Sequence, residues 1–493
     1  MMEGIINSIY NIIWSNFLIY FCLGAGIYFS FRTRFSQLRN IKEMVTLLFK
    51  GEKSEQGISS FQALCTALAG RIGTGNIAGV ATAIAMGGPG ALFWMWTIAF
   101  LGAGSAFAES ALGQIYKEEH EGQYRGGPAY YIEKGLGNTT FSKWYGIVFA
   151  IVTVFATGLF LPGVQSNSIA VAMKNSFGIN SWIIAGILVA LLGLIIFGGI
   201  KRIGSAAELI VPLMGGLYIL MALAIIIVNI EKLPAVIALI FKSAFGAEQA
   251  FGGIIGSTIA WGVKRGVYSN EAGQGTGPQA ASAAEVSHPA KQGFVQAFSV
   301  YVDTLFVCSA TGFMILMTGS YNVLDGSGAM IVENLPGVEF GPAFTQTAVN
   351  TLIPGFGGAF VSIALFLFAF TTLMAYYYIA EVNLTYIAKK ITGGSSSKIL
   401  INLLRVLLLG ATVFGCVKTA NLAWQMGDIG VGSMAWLNLI AIIALSNVVI
   451  KCFNDYESQL KSGVPREQIS FDPIKLGIKN ADFWVEKNKQ NLK

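Results

Sequence analysis

Apolar residues run in long blocks from Ile12 to Lys451, separated by short polar stretches. Each block comes near the ~20 residues that carry a helix across a bilayer. They fall at 12–31, 58–86, 90–115, 145–173, 181–199, 206–229, 250–280, 292–318, 356–388, 398–416 and 421–451. The pattern therefore predicts an all-α membrane protein with eleven transmembrane helices. Within the blocks apolar residues occupy every side, as for helices set between lipid and neighbouring helices. No ten-residue alternation of the kind that marks a membrane strand dominates. Two shorter segments stand apart: Leu233 to Phe245 reads as a helix lying on the outer face, and Pro342 to Ile353 as a hairpin or helix capping an outer vestibule. Residues Phe453 to Lys493 are too polar to insert and read as a cytoplasmic tail, with room for an amphipathic helix.

Composition removes the soluble alternative. Only 12% of residues are charged and 54% are hydrophobic, against about a quarter charged in soluble domains. Cys22, Cys65, Cys308, Cys416 and Cys452 are scattered without a CxxC pair, so they read as structural thiols. His120 and His288, the chain's two histidines, sit in polar connections, which argues against imidazole metal ligation within the membrane. The net charge of +6 points to topology and not to nucleic acid. Basic residues concentrate in alternate connections (Arg32, Arg34, Arg39, Lys42, Lys50, Lys53; Lys117, Arg125, Lys134, Lys143; Lys201, Arg202; Lys291; Lys389, Lys390, Lys398) and in the tail up to Lys493. The stretch from Gly319 to Gly355 carries acids and no basic residue. By the positive-inside rule the N-terminus lies outside and the C-terminus in the cytoplasm. The first block has no basic residue before it, so it reads as an uncleaved helix and not as a signal peptide.

Chemistry concentrates where glycine interrupts two blocks. Gly70-Arg71-Ile72-Gly73-Thr74-Gly75-Asn76-Ile77-Ala78-Gly79 places four glycines in ten residues. Each costs about 1 kcal/mol in a helix interior, so the helix is expected to break there. Within a membrane such a break is tolerated where the backbone lines a polar cavity. Its carbonyls suit a cation, and the N–H groups of the next half-helix suit a carboxylate. The competing reading is close helix packing through small residues, which gives no reason for Arg71 and Asn76 at that depth. A second interruption spans Gly262-Val263-Lys264-Arg265-Gly266 and Ser269-Asn270-Glu271-Ala272-Gly273-Gln274-Gly275-Thr276-Gly277-Pro278. Two broken helices, the second and the seventh in order, point to a midplane site in a five-plus-five inverted repeat. The chain then divides into 1–57 (extra helix and basic loop), 58–230 and 231–452 (the two repeats), and 453–493 (tail).

Thr371 and Thr372 could complete an oxygen shell for Na⁺ begun by carbonyls near Ala69 and Ile72, because a hard cation prefers oxygen ligands. Equally they could bond only the preceding turn. Ionisable residues within or near the blocks are Arg71, Glu109, Glu208, Arg265, Glu271, Asp303, Glu381 and Asp428, and such groups point to function. Arg71 either grips a substrate carboxylate or is neutralised by Glu271 or Asp303 and holds a gate. Gln165, a polar point in an apolar helix, bonds either a substrate or a neighbouring helix. Glu109 lies close to the cytoplasmic boundary, which leaves a solvated, a gating and a deep role open.

At these stretches the chain resembles the alanine/glycine:cation symporter family. The likeness runs from the basic first loop to the last helix. It is carried by GISSFQALCTALAGRIGTGNIAGVATAIAMGGPGALFWMW (Gly57 to Trp96), RGGPAYYIEKGLG (Arg125 to Gly137), the stretch Gly266 to Cys308 with SNEAGQGTGP and HPAKQG, and FLFAFTT before Leu373. The resemblance implies a LeuT-type fold of two inverted five-helix repeats that works by alternating access, and import of a small neutral amino acid, alanine or glycine, with Na⁺. H⁺ is an alternative coupling ion. It implies that Thr74, Gly75, Asn76 and Gln165 meet the substrate. It also implies a Na⁺ shell of the Ala69, Ile72 and Phe368 carbonyls with the Thr371 and Thr372 hydroxyls. Arg71, Arg265 and Glu271 then serve as gating or structural charges. The expected setting is a bacterial or archaeal inner membrane, with the chain as a monomer. Where many members carry Gly-Trp, this chain has Ala375-Tyr376, and Gln274 replaces a common methionine. Both changes admit a larger or more polar substrate such as glutamine. An enzyme would need a nucleophile and base, or metal ligands, at one depth, and no HExxH or GxSxG context is present. A channel would show Na⁺ current without stoichiometric coupling.

Overall fold

The computed structural model describes residues 2–49, 57–392, 398–418 and 420–491. Lys50, Lys53 and Lys493, counted among the basic residues above, lie outside the described residues. Helices dominate: α1 Asn16–Arg32, α2 Ser60–Arg71, α3 Val80–Gly87, α4 Ala91–Ile115, α5 Thr140–Phe177, α6 Ser181–Ile196 and α7 Gly199–Val228 come first. They are followed by α8 Ile255–Asn270, α9 Gly277–Ala283, α10 Pro289–Thr318, α11 Gly357–Thr392, α12 Lys398–Val417, α13 Ala420–Ala444, α14 Ser446–Lys461 and α15 Asp482–Asn491.

Among the described residues eight helices are long and apolar enough to cross a membrane, fewer than the eleven expected. The other three expected segments are helical but short. Two are divided, into α2 with α3 and α8 with α9, and α6 has 16 residues. The two short segments outside the blocks form helices, Leu233–Ala244 and Pro342–Leu352. Unforeseen were two small hairpins, β1 Glu118–His120 with β2 Gln123–Arg125 and β3 Asn322–Leu324 with β4 Met330–Glu333. Both lie in connections, where no run of alternating residues announces them.

The second interruption is narrower than its glycines imply. Helix α8 runs unbroken through Gly262–Gly266. A Cβ on Gly262 would stand 2.5 Å from the Trp94 Cβ, and one on Gly266 would collide with Ile98. These glycines let α8 lie against α4, which is small-residue packing. The chain leaves helical geometry only at Glu271, which caps α8 in the left-handed region (φ 55°), and at Gly273 and Gly275 (φ 79° and 86°). At one end of the bundle the two divided helices meet: Ile58, just before α2, pairs with Ala284, just after α9.

That same end carries the tail, which is docked and not free. Trp484 of α15 is 1% exposed, and its Nε1 donates to the Gln114 carbonyl at 2.9 Å. Ile469 and Phe471 are also buried. Arg466 grips Glu43 with Nε and Nη2 at 2.9 and 2.7 Å. A polar tail cannot enter lipid, but its few aromatic and aliphatic residues bury against the ends of the helices.

Candidate functional site at the two helix breaks

Between α2 and α3 the backbone is irregular from Ile72 and resumes as a π-turn, Gly75–Gly79. The Asn76 side chain folds back to cap the break: its Oδ1 accepts from the Gly73 N–H at 2.8 Å. The Thr74 N–H donates to Gln165 Oε1 at 3.2 Å, so Gln165 reaches the break from the middle of α5. Gly75 admits the second divided helix, since a Cβ there would lie 3.1 Å from the Tyr268 ring and 3.4 Å from the Ser269 Cα. Thr74, Asn76, Gln165 and Gln274 are all essentially unexposed. Among the described residues both amide atoms of Gln274 have no hydrogen-bond partner, and the Thr74 hydroxyl faces that of Tyr268, which leaves the Gln274 amide able to bond a solute. Gln274 lies in the second break, and no hydrogen bond joins it to Thr74, Asn76 or Gln165 among the described residues. Tyr376, also buried, sets its hydroxyl beside Glu271 and Gln165.

Four of the five residues expected to hold Na⁺ lie together. The Thr372 hydroxyl donates to the Phe368 carbonyl at 3.0 Å and reaches the Ile72 carbonyl at 3.3 Å. The Thr371 hydroxyl also donates to Phe368, at 2.8 Å. Ile72, Phe368, Thr371 and Thr372 therefore lie together, two carbonyl and two hydroxyl oxygens linked by hydrogen bonds. Ala69 is buried nearby in α2, and no contact places its carbonyl in the group.

Charges around the breaks are arranged differently from expectation. Arg71 makes no ion pair with Glu271 or Asp303. Its Nη1 donates to the Ser299 hydroxyl and to the Gln296 carbonyl at 3.3 Å, while Glu271, Glu109 and Asp303 act on it from farther away. Glu109, within two turns of the end of α4, is fully buried, which removes the solvated role. It accepts from the Gly273 and Gly275 N–H groups at 3.3 and 3.1 Å and from Asn438 at 2.7 Å, so it caps the second break. Nothing in the local sequence of α4 pairs Glu109 with peptide groups over 160 residues away. Glu271 accepts from the Thr276 hydroxyl at 2.8 Å. Arg265 meets Asp428 with a fork of two 3.3 Å bonds, and Lys264 reaches the same carboxylate at 3.5 Å. Trp261, Tyr268 and Trp424 surround that guanidinium. Glu381 is paired with Arg125 at 3.0 Å, and Glu208 is exposed and bonded to Gln62.

Beside the breaks, Thr66, Gly70, Glu271, Thr276 and Tyr378 enclose a void of about 10 Å³, room for about one water. Two wider cavities lie elsewhere: one of about 410 Å³ under the tail, bounded by Lys117, Glu118 and Lys487, and one of about 300 Å³ by β3 and β4.

The two divided helices thus meet within a bundle of apolar helices, with the Thr371–Thr372 turn of α11 against the first of them. The sequence profile of the sodium:alanine symporter family matches residues 1–470. The chain belongs to the sodium:alanine symporter family. Over 98% of both chains it is 59% identical to YrbD of Bacillus subtilis (strain 168), named as a sodium/proton-dependent alanine carrier. It is 52% identical to the sodium/proton-dependent alanine carrier protein of Bacillus sp. (strain PS3), over 90% of this chain and 97% of that one. To GlnT of Bacillus subtilis, named as a sodium/glutamine symporter, it is 44% identical, over 98% of this chain and 96% of that one. This member of the symporter family is thus a multi-pass membrane transporter and not an enzyme.

Proposed function

We propose that this symporter imports a small neutral amino acid, alanine or glycine, together with Na⁺ by alternating access. The observation that carries this reading is the convergence of both breaks on one place, with Gly75 against Tyr268 and Ser269 and the Thr372 hydroxyl within reach of the Ile72 carbonyl. In this reading all eleven segments cross the membrane, the broken ones included. Residues 58–230 and 231–452 are inverted repeats of a LeuT-type fold, preceded by one extra helix. The N-terminus is outside and the tail-bearing end is cytoplasmic.

A zwitterion needs a positive end for its carboxylate and oxygens for its ammonium. The N–H of Gly75, at the head of the following half-helix, supplies the first. Gln165 orients that turn. The Ile72 and Phe368 carbonyls with Thr371 and Thr372 hold Na⁺ as neutral hard oxygens. Because the ion binds across α2 and α11, it favours the arrangement in which those helices are close, and that differential affinity is what couples ion to solute. The Arg265–Asp428 fork locks the outer side of the route.

A glutamine preference is the second reading, favoured by the Tyr376 hydroxyl beside Glu271 and Gln165 and by the unpartnered Gln274 amide. Purified protein in proteoliposomes decides between the proposals. Radiolabelled Na⁺ should enter with alanine in fixed, saturable proportion, and a panel of twenty amino acids in competition should rank alanine and glycine above glutamine. Na⁺ flux indifferent to every amino acid would remove symport altogether.

A further inference from the structure

Lys117 follows α4 by two residues, and its side chain is completely buried. The ammonium lies over three rings: Tyr124 of β2 at 4.2 Å, and Phe483 and Trp484 of α15 at 4.7 and 5.6 Å. It also donates to the Ala284 carbonyl, just beyond α9, at 3.0 Å. Attraction between a cation and aromatic faces is strongest where water is excluded. One side chain therefore joins α4, the β1–β2 hairpin, the tail and the end of the second divided helix.

The bonds around Lys117 fall into two groups. One holds the end of α9: Gln114 donates to the Ala281 and Ala284 carbonyls, Lys487 of α15 bonds Glu285, and the Ser287 hydroxyl donates to the Ile469 carbonyl of the tail at 2.6 Å. The other ties the hairpin and the short helix after it, Pro128–Gly135, to α11. Arg125 donates to Thr385 at 2.6 Å as well as pairing with Glu381, Lys389 reaches Glu118 at 2.7 Å, and the Tyr386 hydroxyl donates to Glu133 at 2.6 Å. The tail bridges the two groups. Asn480 donates to the Lys134 carbonyl at 2.8 Å, and the Phe483 ring meets that of Tyr124 edge-on, whose hydroxyl donates to Glu285 at 2.6 Å.

We propose that Lys117 is a positioning residue through which the docked tail latches the end of α9 to the hairpin, and that release of this latch opens the breaks toward the tail-bearing end. A strap biases an equilibrium only by contacts made in one state and lost in the other. These bridging contacts exist only while the end of α9 stays beside the elements tied to α11. The latch is also built to part. Beneath α15 lies the cavity of about 410 Å³ lined by charged side chains, polar and roomy enough for water. Water is thus at hand to receive the ammonium and its neighbouring carboxylates once the rings withdraw.

For its effect on transport the inference rests on the alternating-access reading, and the experiment separates the two. Ala280, buried in α9 beside the small void at the breaks, is replaced by cysteine as a reporter. Its reaction with a water-soluble maleimide is followed in the purified full chain, over the slow background of the five buried native cysteines. Ala85→Cys, by the cavity at β3, reports on the opposite end. Lys117→Ala should speed labelling of Ala280→Cys several-fold and leave that of Ala85→Cys unchanged. Lys117→Arg, which keeps a cation able to stack on the rings, should restore the slow rate. Phe483→Leu, which keeps the apolar contact and loses the ring face, should fall between. In proteoliposomes Lys117→Ala should raise the alanine concentration for half-maximal uptake several-fold with the maximal rate retained, because less of the protein waits in the state closed at the tail. An unchanged Ala280→Cys rate in both Lys117→Ala and Phe483→Leu overturns the proposal. So does an equal rise at both ends, which would mark general loosening. Should the native protein show no amino-acid-coupled Na⁺ uptake, the symport reading fails, while the labelling series still decides the latch.

Discussion

The Thr372 hydroxyl stands 3.3 Å from the Ile72 carbonyl, joining helix α11 to the frayed end of α2 across three hundred residues of chain. A carbonyl released from its own helix is thereby held beside a hydroxyl that has already satisfied Phe368. Oxygen atoms crowded in this way suit a cation better than they suit each other.

Thr372→Ala should therefore raise the Na⁺ concentration needed for half-maximal uptake by about tenfold, in keeping with about 1.5–3 kcal/mol for a bond to a charged group. Alanine affinity at saturating Na⁺ should change much less. A Na⁺ titration of uptake gives both values, and an unmoved half-saturation would take Thr372 out of the ion's shell.

Tyr376→Trp enlarges the ring and removes the hydroxyl that faces Glu271 and Gln165. Competition profiles should move toward alanine and glycine and away from glutamine. Identical profiles in the two proteins would mean that this side chain does not shape the pocket.

Gly73→Ala places a methyl group 2.6 Å from the Thr372 hydroxyl and 3.1 Å from Gln165 Oε1. Uptake should fall by more than about tenfold, equivalent to over about 1.4 kcal/mol, with protein still present in the membrane. Gly216→Ala, where nothing lies within 4 Å, serves as the comparison and should transport normally.

Trp484→Ala empties a fully buried position in the docked tail. A loss of about 3–5 kcal/mol is expected for such a truncation, enough to release α15 from Gln114. Limited proteolysis should then cleave the tail faster than in the native protein, and equal rates would show that α15 docks without this side chain.

Acid should loosen the same tail. Burial alone would raise the Glu285 pKa, but Lys487 and Tyr124, with Lys117 nearby, bring it below the ordinary carboxylate value. Glu118 is likewise lowered against its burial by Lys134 and Lys389. A depressed folded-state pKa contributes stability above the ordinary value of about 4.3, and that stability is lost as pH falls through the folded value. Tail cleavage by an acid-active protease should thus rise below about pH 4 and stay flat between about pH 6 and 8. A rise confined to the neutral range would show that these carboxylates do not set the tail's release.

The apolar blocks determined the helices, because a segment of that length and composition has few other ways to satisfy its peptide groups. Glycine density likewise located the first break, since backbone entropy and the missing side chain act within a few residues. The same signal misled at Gly262 and Gly266, where the missing Cβ serves contact with α4 and leaves the helix intact. Nothing local distinguishes a glycine that frees the backbone from one that admits a neighbour. Tertiary structure alone decided the partners: Asp303 with Asn76, Glu109 with the second break, Asp428 with Arg265, and the tail with the end of the bundle. These pairs are set by how helices far apart in sequence pack. A charge buried among them takes its role from neighbours that its own segment does not contain.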